Sequence, residues 1–265
     1  MIAAASLRSS VYGGDGIDLH DLAELYHEAS KLYPALAERQ TEGIVRLIRS
    51  ESLQAATAYA VKRNPQLPVT ELPQPAPPDM SLWSALEARR SVRTFPALRL
   101  RLQTLATLLH AGYGVTAPTL RTVPSGGALY PLELYVAATR VDDLPCSLSH
   151  FDPTTRVLET LRADDVSREL DAICASPGLL DGAAAVVFVS AVFWRSRFKY
   201  GLRGYRFVLL EAGHLVQNVV LAATALGVAA LPLGGIYDDR ADELLGLDGV
   251  DESVVYAVVL GGEPE

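Results

Sequence analysis

Arg195, Arg197, Lys199, Arg203 and Arg206 put five cations into twelve residues, with Tyr200 and Tyr205 among them. Adjacent Lys199 and Tyr200 are a pair of side chains that can pass a proton. The arginines around them can bind an anion or favour a neutral lysine and a tyrosinate. On spacing alone, the same run would also serve as a solvated basic loop leading into a core helix.

Three further stretches carry possible chemistry. Arg89-Arg90-Ser91-Val-Arg93 ends a helix with paired arginines, a hydroxyl and a third arginine. Guanidinium groups match phosphate oxygens two at a time, and a serine adds a hydrogen bond. The helix dipole alone would also favour arginines there. Pro124-Ser125-Gly126-Gly127 precedes a strand. Its paired glycines allow a tight turn or the close approach of a flat ligand. Pro232-Leu233-Gly234-Gly235 follows a short apolar run and offers a second place of that kind.

Composition narrows the field. The 265 residues carry 23 lysines and arginines against 31 acids, a net charge of −8. Such a balance argues against general binding to nucleic acid or to an anionic membrane. Cys146 and Cys174 are too few for a disulfide framework or a structural zinc, and the histidines share no metal-ligand spacing, so no metal is expected. His214 would share a helix stripe with Glu211 and Asn218 as a satisfied contact. Trp83 and Trp194 are expected in the core or an interface. The N-terminus lacks a basic start and an apolar stretch, so a cytoplasmic setting is expected. The apolar run Phe207–Leu226 contains Glu211, His214, Gln217 and Asn218, each costly in lipid, and reads as a buried helix.

The elements that must hold these groups follow from periodicity. Helices are expected over Asp18–Tyr33 and Glu42–Ala60, forming an N-terminal helical arm (1–64). Six prolines between Pro65 and Pro78 exclude a regular helix or a central strand. Residues 65–79 therefore read as an extended linker, and 80–265 as the main domain. There the pattern predicts helices from Ser81, over Leu102–Ala111, Val166–Ala175, Phe207–Gly227 and Asp238–Leu245. Strands are expected from Glu133, over Ala183–Phe193, Ala229–Leu233 and Ser253–Leu260, with a hairpin turning at Asp152-Pro153. The sum is an α+β fold, a mixed sheet flanked by helices.

In this order, the motifs resemble the nitroreductase superfamily of flavin enzymes. Arg-Arg-Ser-Val-Arg-Thr-Phe95 is similar to its N-terminal signature. Glu211-Ala-Gly-His-Leu-Val-Gln-Asn and the later Pro-Leu-Gly-Gly are similar to its C-terminal half. Pro-Ser-Gly-Gly-Ala-Leu-Tyr-Pro131, Lys199-Tyr200 and Arg203-Gly-Tyr-Arg resemble the SagB-type dehydrogenases, which aromatise thiazolines and oxazolines in ribosomally made peptides. Tyr26-His-Glu-Ala-Ser-Lys31 is similar to the arm of that subgroup.

The resemblance implies FMN as cofactor. Arg89, Ser91 and Arg93 would hold its phosphate and ribityl chain, with Arg90 close by. Pro124, Ser125, Gly126 and Gly127, with Pro232, Leu233, Gly234 and Gly235, would line its ring. Lys199 and Tyr200 would handle the proton, tuned by Arg197 and Arg203. A homodimer with flavin at the subunit interface is implied, as is a partner cyclodehydratase or leader-binding protein. Many members place a late cation on the phosphate. Here Gly261-Gly-Glu-Pro-Glu265 contains none, so help is expected from Arg203 or Arg206. The alternatives are a nicotinamide-driven nitroreductase, a flavin oxidase of small or carrier-bound azolines, and a non-catalytic assembly subunit.

Overall fold

A computed structural model describes residues 22–34, 42–52 and 61–263. The expectations for residues 1–21, 35–41, 53–60 and 264–265 lie outside the described residues.

The arm contributes α1 (Leu22–Ala29) and α2 (Glu42–Ile48). The proline-rich stretch contains β1 (Val69–Glu71), which pairs antiparallel with a later strand, so this segment is part of the sheet. A chain with few donors can still form an edge strand, where one side needs no partner. Then follow α3 (Leu82–Ala88), α4 (Leu102–Tyr113), a small hairpin of β2 (Val115–Ala117) and β3 (Leu120–Arg121), and the meander β4 (Leu132–Ala138), β5 (Ser147–Asp152), β6 (Val157–Arg162). The C-terminal half runs α5 (Ser167–Ile173), β7 (Ala185–Val192), α6 (Trp194–Tyr200), α7 (Leu202–Ala225), β8 (Ala230–Leu233), α8 (Asp238–Leu245) and β9 (Glu252–Leu260).

Seven strands form one sheet in the order β1-β6-β5-β4-β7-β9-β8. Every neighbouring pair is antiparallel, where the sequence suggested a mixed sheet. The expected α+β architecture stands, built on hairpin and return connections. Alternation along β4 divides its side chains between two faces. Leu132, Leu134 and Val136 join the core under α4 and α7. Tyr135 and Ala137 join a second core under α5 and α8. Leu105, Leu108 and Leu109 of α4 are at most 1% exposed, so truncating one to alanine costs about 2–5 kcal/mol.

Local features set up both cationic segments. Ser81 caps α3 by accepting the Ser84 N–H at 3.1 Å. Between α6 and α7, Gly201 adopts φ 55°, ψ −136°, a conformation open essentially to glycine. A side chain at Gly204 would lie 2.9 Å from the Ser196 carbonyl, so glycine also lets the two helices approach closely. The run is thus a helix–glycine–helix corner rather than a loop, and the long helix starts at Leu202, five residues before the expected start at Phe207. That helix is long and apolar enough to cross a membrane, yet Val208, Leu215, Val216, Val219 and Val220 are buried against the sheet and α4.

Candidate active site

The Pro-Ser-Gly-Gly loop turns as a 3₁₀ helix over Gly126–Ala128, with Gly127 at φ 70°. A side-chain carbon built there would sit 2.5 Å from Lys199 Nζ and 2.6 Å from the Tyr200 hydroxyl. At Gly126 it would meet the Phe207 ring at 3.1 Å. The loop therefore lies on the tips of Lys199 and Tyr200, presented by the last turn of α6. Lys199 Nζ lies 5.1 Å from the centre of the Tyr200 ring, which in turn meets Phe207 edge-on at 5.0 Å. Residues more than 70 positions apart become one cluster.

The helix carrying Lys199 and Tyr200 is fastened from below. Arg195 donates to Glu133 Oε1 at 2.5 Å. Glu133 is 2% exposed and shares its other oxygen with His150 Nε2 at 2.9 Å. The second ring nitrogen of His150 faces Glu159 Oε2, also at 2.9 Å. Two carboxylates on two ring nitrogens require both to be N–H donors, so His150 is an imidazolium. Burial opposes that charge, but the hydrogen bonds and charges of Glu133 and Glu159 outweigh it, and its pKa is raised. Burial also works against an ionised Glu133, yet His150 and Arg195 hold that carboxyl below the usual range. The same cluster grips the arm. Lys62 pairs with Glu252 at 2.8 Å, its N–H donates to Glu133, and Asn64 donates to Glu159.

A second group gathers Arg89, Ser91 and Arg93. Arg89 reaches the Ser91 hydroxyl at 3.5 Å and Arg93 the Ser91 carbonyl at 3.3 Å. Among the described residues neither arginine has a carboxylate partner within 4.0 Å. Two guanidiniums without an acid, converging on a serine, fit a phosphate. Arg90 turns away and donates to the carbonyls of Glu87 and Arg89, both at 2.8 Å, closing the end of α3. The Val92 N–H binds the Ala230 carbonyl at 3.1 Å, laying this segment along β8. At the end of β8, Pro232 is half-buried and the Leu233 side chain is buried in the second core, while Gly234 just beyond it faces open space. Leu233 can therefore offer a ligand only its backbone, whereas Gly234 leaves room for a flat group.

Several expectations change. Arg206 donates to the Ser30 hydroxyl at 2.7 Å and the His27 carbonyl at 2.6 Å. Arg203 donates to the Ser30 carbonyl at 3.3 Å. These two residues fasten α1 rather than waiting for a phosphate. Arg197 stacks on Trp194 at 4.6 Å. Of the two places expected for Trp83 and Trp194, their exposure excludes the core alone, and His214 lies on the exposed side of α7.

One residue of the site was missed. Glu211 is 2% exposed and accepts the Tyr113 hydroxyl at 2.7 Å. Burial pushes its carboxyl up to about 7, against the pull of Ser125, Tyr113 and Arg121. Its signal in the sequence is a lone acid inside an apolar helix.

The comparisons agree with this architecture. The model of the nitroreductase family matches residues 86–262. A Methanocaldococcus jannaschii protein named as a nitroreductase is 35% identical over 176 residues, 66% of this chain and 89% of the relative. The microcin B17-processing protein McbC of Escherichia coli is 27% identical over 157 residues, 57% of this chain. The chain matches 58% of the length of McbC. A chain of the E. coli microcin synthetase McbBCD complex, solved with truncated pro-MccB17 bound, superposes with a TM-score of 0.61 at 22% identity. That superposition covers 92% of both chains and speaks for the fold. With two thirds of its length matched by the family model, and with the motifs gathered as described, the chain belongs to the nitroreductase family of oxidoreductases.

Proposed function

We propose that this chain is a SagB-type, FMN-dependent dehydrogenase that oxidises thiazoline or oxazoline rings to azoles in a ribosomally made peptide. The observation that carries the reading is the meeting of Lys199 and Tyr200 at Gly127. A proton-handling pair is held against a glycine loop that can accept a planar ring, as the resemblance to azoline dehydrogenases requires.

Aromatising an azoline removes a proton from carbon and a hydride equivalent. Bound FMN would supply the two-electron acceptor for that hydride. The chain's own residues do the rest. Arg89, Ser91 and Arg93 bind and orient the phosphate end. Ser125, Gly126 and Gly127, with the backbone of Pro232–Gly235, line the ring. Lys199 and Tyr200 take the proton from the azoline carbon, and Phe207 keeps the far side of the loop apolar. The Glu133–Arg195 pair keeps α6 in place, so the proton acceptor meets the substrate in one geometry.

The two halves of this site suggest a homodimer. β4, which follows the glycine loop, and β8, along which the arginine segment lies, are separated by β7 and β9. Three strand spacings put them about 14 Å apart, more than one flavin ring system bridges with contacts on both sides. A second copy would bring the arginines of one protomer to the glycine loop of the other. Exposed Leu82, Trp83 and Leu86 of α3, with Leu209 and Leu210 of α7, supply apolar surface for such a contact. The azoline substrate implies a cyclodehydratase acting before this chain. The likeness to McbC, a peptide-processing protein, supports that setting.

The test is direct. Protein loaded with FMN is mixed with a synthetic thiazoline peptide under air, and the product is weighed by mass spectrometry. Loss of two hydrogens per ring is expected. The second reading, a nicotinamide-driven nitroreductase, is favoured by the name of the archaeal relative. It requires the flavin to bleach on adding NADH or NADPH, with azolines untouched.

A further inference from the structure

Lys199 and Tyr200 are presented by α6, and α6 is held at both ends by the N-terminal arm. At its first turn, Arg195 and the Lys62 N–H donate to the same atom, Glu133 Oε1, at 2.5 and 3.1 Å. The Lys62 ammonium continues to the Tyr135 hydroxyl at 2.7 Å and to Glu252 Oε2 at 2.8 Å. Glu252 Oε1 accepts the hydroxyls of Tyr135 and Ser190 at 2.9 and 2.7 Å. Asn64 closes the far side, donating to the two oxygens of Glu159 at 3.0 and 2.8 Å. Just past the last turn of α6, the Tyr26 hydroxyl of α1 donates to the Leu202 carbonyl at 3.0 Å. The Tyr26 ring meets that of Tyr205 edge-on at 5.5 Å.

Charge makes the first of these grips the stronger control. The network under the first turn joins three carboxylates, Glu133, Glu159 and Glu252, to three cations, Arg195, His150 and Lys62. Five of the six groups stand on the sheet or on α6, and Lys62 is the arm's contribution. We propose that Lys62 is a positioning residue: by balancing this network, the docked arm fixes α6 and so sets Lys199 and Tyr200 against the Gly127 loop. The proposal rests on the azoline reading for what Lys199 and Tyr200 do, but not for the coupling of arm to helix. Without the Lys62 ammonium, three carboxylates largely out of water face two cations, an imbalance that burial makes costly. Arg195 is the cation of the pair that α6 carries, so the helix gives way with it.

Hydrogen exchange and turnover decide it together. In cofactor-free protein, Lys62→Met should speed amide exchange across residues 194–201 by about tenfold or more, while α4 keeps its protection. Lys62→Arg should restore the slow exchange. So should the double variant Lys62→Met, Glu252→Gln, which removes one charge of each sign. In FMN-loaded protein, Lys62→Met should lower single-turnover azoline oxidation by at least about tenfold, because a small misplacement of the proton acceptor is enough. The Kd for FMN should change by no more than about threefold, since the phosphate arginines lie elsewhere. Unchanged exchange in Lys62→Met, exchange in the double variant as fast as in the single one, or loss of protection in α4 in step with α6 would overturn the proposal. Faster exchange with unchanged turnover would do the same. Should Lys62→Met fail to fold, Lys62→Gln is read in the same way. If the exchange behaves as expected but wild type leaves azolines untouched, the azoline reading fails and the coupling stands.

Discussion

Gly127 and Lys199 are in mutual contact to the exclusion of any side chain, since a β-carbon at 127 would lie 2.5 Å from the lysine nitrogen. The backbone there is also left-handed, at φ 70°. Gly127→Ala should therefore cost about 1–2 kcal/mol for the backbone alone and push Lys199 and Tyr200 off the loop. Thermal unfolding should report the modest loss of stability. Azoline turnover should fall by more than tenfold, a loss larger than the change in stability implies.

Lys199→Ala and Tyr200→Phe separate chemistry from cofactor binding. Neither side chain belongs to the arginine cluster, so both variants should keep their flavin absorbance. Loss of a proton acceptor should lower single-turnover azoline oxidation by about 10²–10⁴-fold. Full turnover in both variants would remove the pair from the mechanism.

The arginines should divide into two kinds. Arg89→Ala and Arg93→Ala each remove a charged donor with no carboxylate partner among the described residues, and the Kd for FMN should rise about 10–100-fold. Arg90→Ala loses only carbonyl contacts at the end of α3 and should change FMN binding by no more than about threefold. Fluorescence titration of FMN into cofactor-free protein distinguishes them.

His150 predicts a pH dependence of stability with a definite sign. Its pKa is raised on folding, so the folded protein holds a proton that the unfolded chain gives up near about 6.5. The stabilisation is complete below that pH and is lost as pH rises through the folded value. Glu211, raised to about 7, pushes the same way over a lower range. Urea unfolding of wild type should show stability falling as pH rises above about 6.5, a slope reduced in His150→Gln. Because Glu211→Gln removes only the lower-range contribution, the slope above pH 7 should survive in that variant.

Leu210 is 59% exposed on α7, next to Leu209, which is also exposed. An aspartate there should leave the monomer's fold intact but disfavour an apolar contact between copies. If the proposed homodimer forms through this surface, light scattering should show a dimer for wild type and a monomer for the variant, and FMN affinity should fall along with it.

Local motifs were legible because their chemistry lies in consecutive residues. Arg89–Arg93, Pro124–Gly127, Lys199-Tyr200 and Pro232–Gly235 could be singled out by type and spacing, and so could most strands and helices after residue 80. The corner at Gly201 was hidden because cations mask a helix pattern, although a glycine in the middle of the run was its trace. β1 was hidden by prolines, which exclude a central strand but not an edge one. Arg203 and Arg206 looked like ligand groups because nothing in their own stretch supplied the Ser30 and His27 acceptors.

What the sequence determined by itself was the set of reactive groups and the order of elements that carry them, since both depend on neighbours along the chain. Only the tertiary structure decided which groups meet. Gly127 faces Lys199 because a sheet and a helix corner bring them together across seventy-two residues, and Glu211 faces Tyr113 across ninety-eight. Burial decided their chemistry as well. Taken out of water, Glu211 holds its proton to about 7 and His150 keeps its charge between two carboxylates, neither of which composition or spacing could reveal.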